Sequence, residues 1–237
     1  MIEQSSYDVN PQANISIQRI GVQQTPIIVV DDFLLKLDEF RSLACVQTFT
    51  DDAHSYYPGI RALLPKAYVI TVLDALFQTI YDVYNIPTQL RLTPQDRYFS
   101  LITKQPEQLS LLQCMPHFDT PRPYYFAILH YLQTSEHGGT GFFRHRPTQL
   151  ERIDEHNMSH YFSTAEQFIN NHSKPEQGYC VASNDQFQCY DNISYQTNRL
   201  VVYPGNLLHS TLVNQASDIS ADPKQGRLTA NLFIEFQ

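Results

Sequence analysis

With 237 residues, 42% of them hydrophobic and 12% aromatic, the chain can bury one sizeable core. Sixteen basic against 24 acidic side chains, a net charge of −8, exclude the basic stripe that phosphate-tracking nucleic-acid binding requires. No apolar run reaches the roughly 18 residues of a membrane span, and the opening MIEQSSYDVN is polar rather than signal-like, so a cytoplasmic protein with neither nucleic-acid nor membrane partners is expected. Cys45, Cys114, Cys180 and Cys189 form no CxxC pair, which removes zinc knuckles and redox dithiols and leaves reduced thiols as the expectation.

Residues 1–24 are polar and Gln-rich, an exposed arm or an edge strand. Pro26-Ile-Ile-Val-Val reads as a strand ending in Asp31-Asp32, either of which can cap a following helix whose apolar positions are Phe33, Leu34, Leu37, Phe40, Leu43 and Ala44. A second helix is predicted over 65–84, from Val69, Val72, Leu73, Leu76, Phe77 and Ile80. From about residue 89 the texture changes to short β-branched and aromatic runs at 97–103, 126–132, 141–145, 199–203 and 227–236, each bounded by Pro, Gly or Asn. A polar stretch, 147–178, interrupts them with helical spacing around 161–169 and reads as an insertion. The expectation is a single domain, mainly β with flanking helices: an N-terminal arm and supporting helices over 1–88, then a sandwich or barrel over 89–237.

The chemistry-bearing residues lie in that second part. In an extended chain, residues i and i+2 project to one face, so His117 and Asp119 of Met-Pro-His-Phe-Asp-Thr-Pro offer an imidazole and a carboxylate together. By itself such a triplet also fits a solvated histidine beside an Asx turn. His209 ends a strand, Pro-Gly turn, strand passage (200–209), where Leu207 and Leu208 would carry it inward; a core histidine bonded to a carbonyl is the bland reading. Two histidines and a carboxylate on one face of an octahedron leave three positions open, the arrangement of non-haem iron oxygenases. Arg227, Thr229 and Asn231 alternate with Leu228, Ala230 and Leu232 along the last strand, giving a polar face that either meets water or grips a carboxylate through paired N–H bonds. Arg144 and Arg146 share a face beyond a glycine-rich turn and are candidates for an anionic contact, as against a solvated strand end.

Taken together, His117, Asp119, His209, Arg227 and Thr229 resemble the pattern of the 2-oxoglutarate/Fe(II)-dependent oxygenase superfamily in its prolyl-hydroxylase-like branch: HxD, a distal His, then Arg-x-Ser/Thr on the last core strand. More narrowly, Pro-His-x-Asp-Thr, His130-Tyr-Leu, Gly-Gly-Thr-x-Phe-x-Arg-His-Arg, Asn198-Arg-Leu, Gly-Asn-Leu-Leu-His-Ser and Gly-Arg-Leu-Thr-Ala-Asn are similar to an uncharacterised bacterial family classed with those oxygenases. Val29-Val-Asp-Asp-Phe-Leu and Tyr57-Pro-Gly-Ile-Arg61 extend the likeness over most of the chain. Two departures stand out: the loop between His209 and Arg227 is longer than the superfamily norm, and Gln133 stands where the branch often has Asn.

The resemblance implies a double-stranded β-helix core of jelly-roll or cupin-like type preceded by helices. It implies Fe(II) on His117, Asp119 and His209, and 2-oxoglutarate held by Arg227 with Thr229 and one of Tyr98 or Tyr131. Dioxygen would be the co-reactant and an amino acid, peptide side chain or small metabolite the substrate, with Arg144, Arg146 and Asn231 as candidate substrate residues. A cupin-like metal-binding protein without 2-oxoglutarate turnover, in which Arg227 serves a structural carboxylate, and a non-catalytic binding module are the competing readings. Substrate discrimination is expected from 55–61 or 147–178; the alternative for the latter is a buttress on the outer face or a contact in a homodimer.

Overall fold

The protein is described here by a computed structural model covering residues 7–51, 56–172 and 174–237. Its strands are β1 Asn14–Ile20, β2 Thr25–Asp31, β3 Thr50–Asp51, β4 Gly59–Leu63, β5 Leu92–Ile102, β6 Tyr125–Tyr131, β7 Thr140–His145, β8 Phe187–Ile193, β9 Leu200–Pro204, β10 His209–Thr211 and β11 Thr229–Phe236. Three α-helices accompany them: α1 Leu37–Cys45, α2 Lys66–Val83 and α3 Met158–Asn171. All but three of these strands form one antiparallel sheet in the order β1-β2-β9-β6-β11-β5-β4-β3, and β10-β7-β8 form a second, smaller one. This is the double-stranded β-helix core that was expected. No helix among the described residues is long and apolar enough to cross a membrane.

Period-two alternation assigns the layers. On the central strand β6, Phe126 and Ile128 face α1 and α2, joining Phe40, Ala44, Tyr68, Val72, Leu76 and Ile80 in the larger core. Its alternate residues, Ala127, Leu129 and Tyr131, face the small sheet and pack with Val29, Val201, Tyr203, Phe142 and Leu207. Beyond the small sheet, Phe143, Phe187 and Leu208 meet Ile153 and Tyr161 from the segment containing α3. His130 stitches the first two layers: its ring takes the Tyr68 hydroxyl at 2.8 Å and Asn198 Oδ1 at 3.1 Å.

Of the two readings of residues 1–24 the edge strand holds, because β1 lies at the edge of the large sheet, half of whose strands are β1 to β4. Two sequence expectations change. Neither Asp31 nor Asp32 caps α1, which begins at Leu37 with Lys36 before it and no side-chain cap. Asp31 instead receives the Arg199 guanidinium at 2.6 and 3.0 Å, and Asp32 turns the chain at φ 56. Finally, 147–178 is only partly an insertion. Glu151 and Ile153 are buried, and the chain around them pairs with the small sheet through His145↔Leu150 and Arg152↔Leu207.

Glu151 shows how far that integration goes. At 1% exposure it accepts the Val22 and Gln23 N–H groups at the tip of the β1–β2 hairpin and is ion-paired with Arg144. Removing one partner of such a pair strands the other charge and typically costs about 3–5 kcal/mol. Glu151→Ala is therefore expected to lower the denaturant midpoint by an amount worth about 3 kcal/mol with an unchanged slope. A midpoint within experimental error of the parent's would return 147–178 to the role of a passive insertion.

Candidate functional site

His117 and His209 exchange both backbone hydrogen bonds, N–H to carbonyl at 2.9 and 2.8 Å, and so stand directly opposite each other in an antiparallel bridge. Two residues on, the Asp119 N–H donates to the Gly205 carbonyl at 2.7 Å. Glycine is required at that turn: a Cβ on residue 205 would lie 2.6 Å from the Tyr125 ring and 3.3 Å from Asp119 Oδ2. The Pro-Gly turn and the segment 205–208 that leads into His209, the first residue of β10 rather than the end of a strand as expected, thus form the bed on which the HxD segment lies.

The side chains converge accordingly. Asp119 Oδ1 lies 3.7 Å from His117 Nε2 and 3.9 Å from His209 Nε2, and one ligand atom from each of the three falls within 4.8 Å of the others. Among the described residues no other cluster of His, Cys, Asp or Glu has this geometry. His209 Nδ1 is 2.9 Å from the Leu207 carbonyl, which can only accept, so the proton sits on Nδ1 and the Nε2 lone pair faces the carboxylate. Burial pushes His209 down to about 4; burial and then the neighbouring His209 push His117 to about 4, with Asp119 opposing. Burial raises Asp119 to about 6, against His117 and Arg61. At neutral pH the site therefore presents two neutral imidazoles and an ionised, poorly solvated carboxylate, a donor set that a divalent cation would stabilise. The His117 side chain keeps 58% exposure against 17% for Asp119, so it forms the open lip. Between them Phe118 points the other way, its ring 6.1 Å from Tyr161 and 6.0 Å from Phe162 of α3, so that helix buttresses the motif from behind.

Arg227 is 2% exposed. Its Nε donates to the Gly138 carbonyl at 2.6 Å and its guanidinium lies 5.4 Å from the Tyr131 ring centre and 5.9 Å from that of Tyr195. Its Nη2 has no partner, and neither have Thr229 Oγ1 and Asn231 Oδ1, both on buried residues of the same strand face. No carboxylate of the described residues pairs with Arg227, which removes the support for a structural ion pair at this position. The long loop after His209 explains how the arginine is held. Asp218, fully buried, accepts from Gly138 N–H at 3.1 Å and contacts His137 Nδ1 at 2.9 Å, while its own carbonyl accepts the Arg227 N–H at 3.3 Å. Gln133 serves that loop too, donating to the Pro223 carbonyl at 3.0 Å.

The remaining predicted residues divide. Tyr131 commits its hydroxyl to Thr140 at 2.8 Å and offers Arg227 its ring. Tyr98 bonds Asp96 at 3.0 Å and lies under Arg61, at 4.9 Å from ring centre to guanidinium. Asn231 donates to Ser100 at 2.8 Å beside the same face. Arg144 and Arg146 are engaged elsewhere: the first by Glu151 and Gln188, the second, exposed, by the Asn184 carbonyl at 2.9 Å. Sequence reasoning missed Ser100, Tyr195, Asp218 and the placement of Arg61. Ser100 was legible, since it shares Tyr98's face by alternation; Tyr195 and Asp218 lie in loops that carry no period.

Comparison with known structures returns the same fold. HygX from Streptomyces hygroscopicus, solved with nickel and 2-oxoglutarate bound, aligns at a TM-score of 0.51 and 15% identity over 90% of this chain and 84% of that one. HygX with nickel, 2-oxoglutarate and hygromycin B bound aligns at 0.50 and 16%, over 90% and 84%. At these identities the likeness shows the fold alone. No curated protein sequence matches the chain. A family model does, over residues 11–234, and the chain accordingly belongs to that family, DUF6445, described as a family of unknown function.

Proposed function

We propose that the protein is an Fe(II)/2-oxoglutarate-dependent dioxygenase acting on a small molecule or peptide, with His117, Asp119 and His209 as the metal ligands. The observation that carries this reading is Arg227: a guanidinium buried to 2% exposure with an unpartnered Nη2, beside the unpartnered Thr229 Oγ1 and Asn231 Oδ1. Arginine cannot shed its proton, so burial without an anion is costly, and a bidentate carboxylate is the natural complement. Tyr203 lies between the arginine and the ligand triad: its ring is 4.9 Å from His209 and its hydroxyl feels the charges of both Asp119 and Arg227. HygX, which shares the fold, carries nickel and 2-oxoglutarate in its structure, and that supports the same pair of ligands here.

The three open positions that such a triad leaves suit the chelating end of 2-oxoglutarate and dioxygen. When bound, iron with 2-oxoglutarate and dioxygen supplies the oxidising chemistry, with succinate and carbon dioxide as co-products. The chain's own part is positional. Arg227 and Thr229 take the distal carboxylate, Tyr131 and Tyr195 wall the guanidinium from water, and Leu207 fixes the His209 tautomer. The measurement that tests the activity is succinate formation from 2-oxoglutarate by the iron-loaded protein.

Two further outcomes are expected. Arg227→Gln should weaken 2-oxoglutarate binding by about 30- to 1,000-fold while Ni(II) affinity stays at the parent's value; a parental 2-oxoglutarate affinity would place the anchor elsewhere. The second concerns pH. Because Asp119 protonates near 6 in the metal-free protein, Ni(II) affinity should be flat above pH 7 and fall about tenfold per unit below 6, steepening as the histidines protonate near 4. Affinity unchanged between pH 7 and 5 would remove Asp119 from the ligand set.

A further inference from the structure

We propose that the chain carries a second, acyl-transfer site, in which Ser135, His137 and Asp218 act as nucleophile, base and orienting carboxylate on small carboxylic esters. The three are joined in series. Ser135 Oγ lies 2.7 Å from His137 Nε2, and His137 Nδ1 lies 2.9 Å from Asp218 Oδ1. The carboxylate already accepts backbone N–H groups, from Gly138 at 3.1 Å and from Asn214 at 2.9 Å. It therefore accepts from the ring as well, which puts the imidazole proton on Nδ1 and leaves the Nε2 lone pair to take the Ser135 hydroxyl proton. That order of groups is the one that makes a serine hydroxyl nucleophilic.

Burial grades along the series in the sense the chemistry needs. The Asp218 and His137 side chains are fully buried, whereas Ser135 is exposed, so ring and carboxylate are kept from water while the hydroxyl meets whatever arrives. The Tyr195 ring, 5.1 Å from the imidazole between centres, packs against His137. Gly138 allows the close approach, since a Cβ there would fall 1.7 Å from the Leu212 carbonyl and 2.9 Å from Asp218 Oδ2. The glycine-rich turn evident in the sequence thus presses the three groups together. Ser135 and His137 line an open cavity of about 580 Å³ with Asn192, Tyr195, Gln196 and Leu212. Asn192 and Gln196 bring amide N–H donors to its wall, the kind of group that a developing oxyanion requires. Gln196 commits its Oε1 to Arg199 Nη2 at 2.8 Å, which leaves the amino end of that amide to donate. Among the described residues Glu136 lines the cavity and no Lys or Arg does, so a neutral ester fits better than an anionic one.

In the reaction Ser135 Oγ adds to the ester carbonyl carbon as its proton passes to His137 Nε2. The bond from that carbon to the alcohol oxygen breaks, and the alcohol leaves with the proton held on Nε2. Water then repeats the sequence, releasing the carboxylic acid and restoring Ser135. The test treats the full chain with a fluorophosphonate and, separately, with the neutral ester p-nitrophenyl acetate. The intact mass is expected to rise by one phosphonyl group, and peptide mapping to place that group on Ser135. Ser135→Ala should take no label and hydrolyse p-nitrophenyl acetate at least about 100-fold more slowly, while melting with the parent because the side chain is exposed. A parent that takes no label, a label on another residue, or a Ser135→Ala variant that hydrolyses the ester at the parent's rate would overturn the site. Neither readout needs a metal or 2-oxoglutarate, so the outcome is independent of the oxygenase reading.

Discussion

A buried guanidinium is the constraint around which this structure is arranged. Arg227 cannot escape its charge by deprotonation, and at 2% exposure it has lost nearly all its water. What it has instead is one carbonyl, two aromatic faces and an unpartnered nitrogen. The surroundings spend further buried polar groups to hold it there: Asp218 fixes both the Gly138 N–H and the arginine's own backbone, and His137 joins the same carboxylate. Networks of this kind are stable only when their members are satisfied. The unpartnered Arg227 nitrogen, beside the unpartnered Thr229 Oγ1 and Asn231 Oδ1, is the one member of this network that calls for an anion.

The ligand triad rests on a different principle, backbone pairing. The mutual N–H to carbonyl bonds of His117 and His209 bring the two imidazoles to 4.4 Å between centres, tilted by 51°, and Gly205 lets the aspartate close the triangle. Such geometry is held by the sheet, so it tolerates the electrostatic discomfort of a desolvated His209 beside a raised carboxylate. The layers behind supply the rigidity. Tyr161 and Phe162 back Phe118 on one side, and α1 and α2 cover the large sheet on the other.

Much of this was legible in the residues alone, for reasons that also explain the gaps. Alternation along β11 placed Thr229 and Asn231 on one face, and the i, i+2 spacing of His117 and Asp119 required only an extended chain. Period 3.6 gave α2 within a residue or two at either end, 65–84 against Lys66–Val83. What failed were inferences about partners. Arg144 and Arg146 looked like anion contacts because a strand pattern shows which residues share a face but not what lies across from it; a buried Glu151 claims the first. Asp31 and Asp32 looked like caps because local capping signals compete with a tertiary ion pair to Arg199 that no local window contains. Arg61 sat in the segment 55–61, expected to discriminate substrates, and it is the register of β4 on β5 that sets it in one row with Ser100 and Thr229.

Two arginines, Arg227 beside Tyr131 and Tyr195 and Arg61 beside Tyr57 and Tyr98, lie on the inner side of one sheet, and the proposed function assigns the deeper, Arg227, to the co-substrate carboxylate. The account depends most on the deeper one. Its most direct test is a crystal structure of the protein with Ni(II) and 2-oxoglutarate. The account predicts Arg227 Nη2 at about 2.8 Å from the distal carboxylate, with the metal on His117, Asp119 and His209. A 2-oxoglutarate bound away from Arg227, or a metal on other ligands, would contradict it.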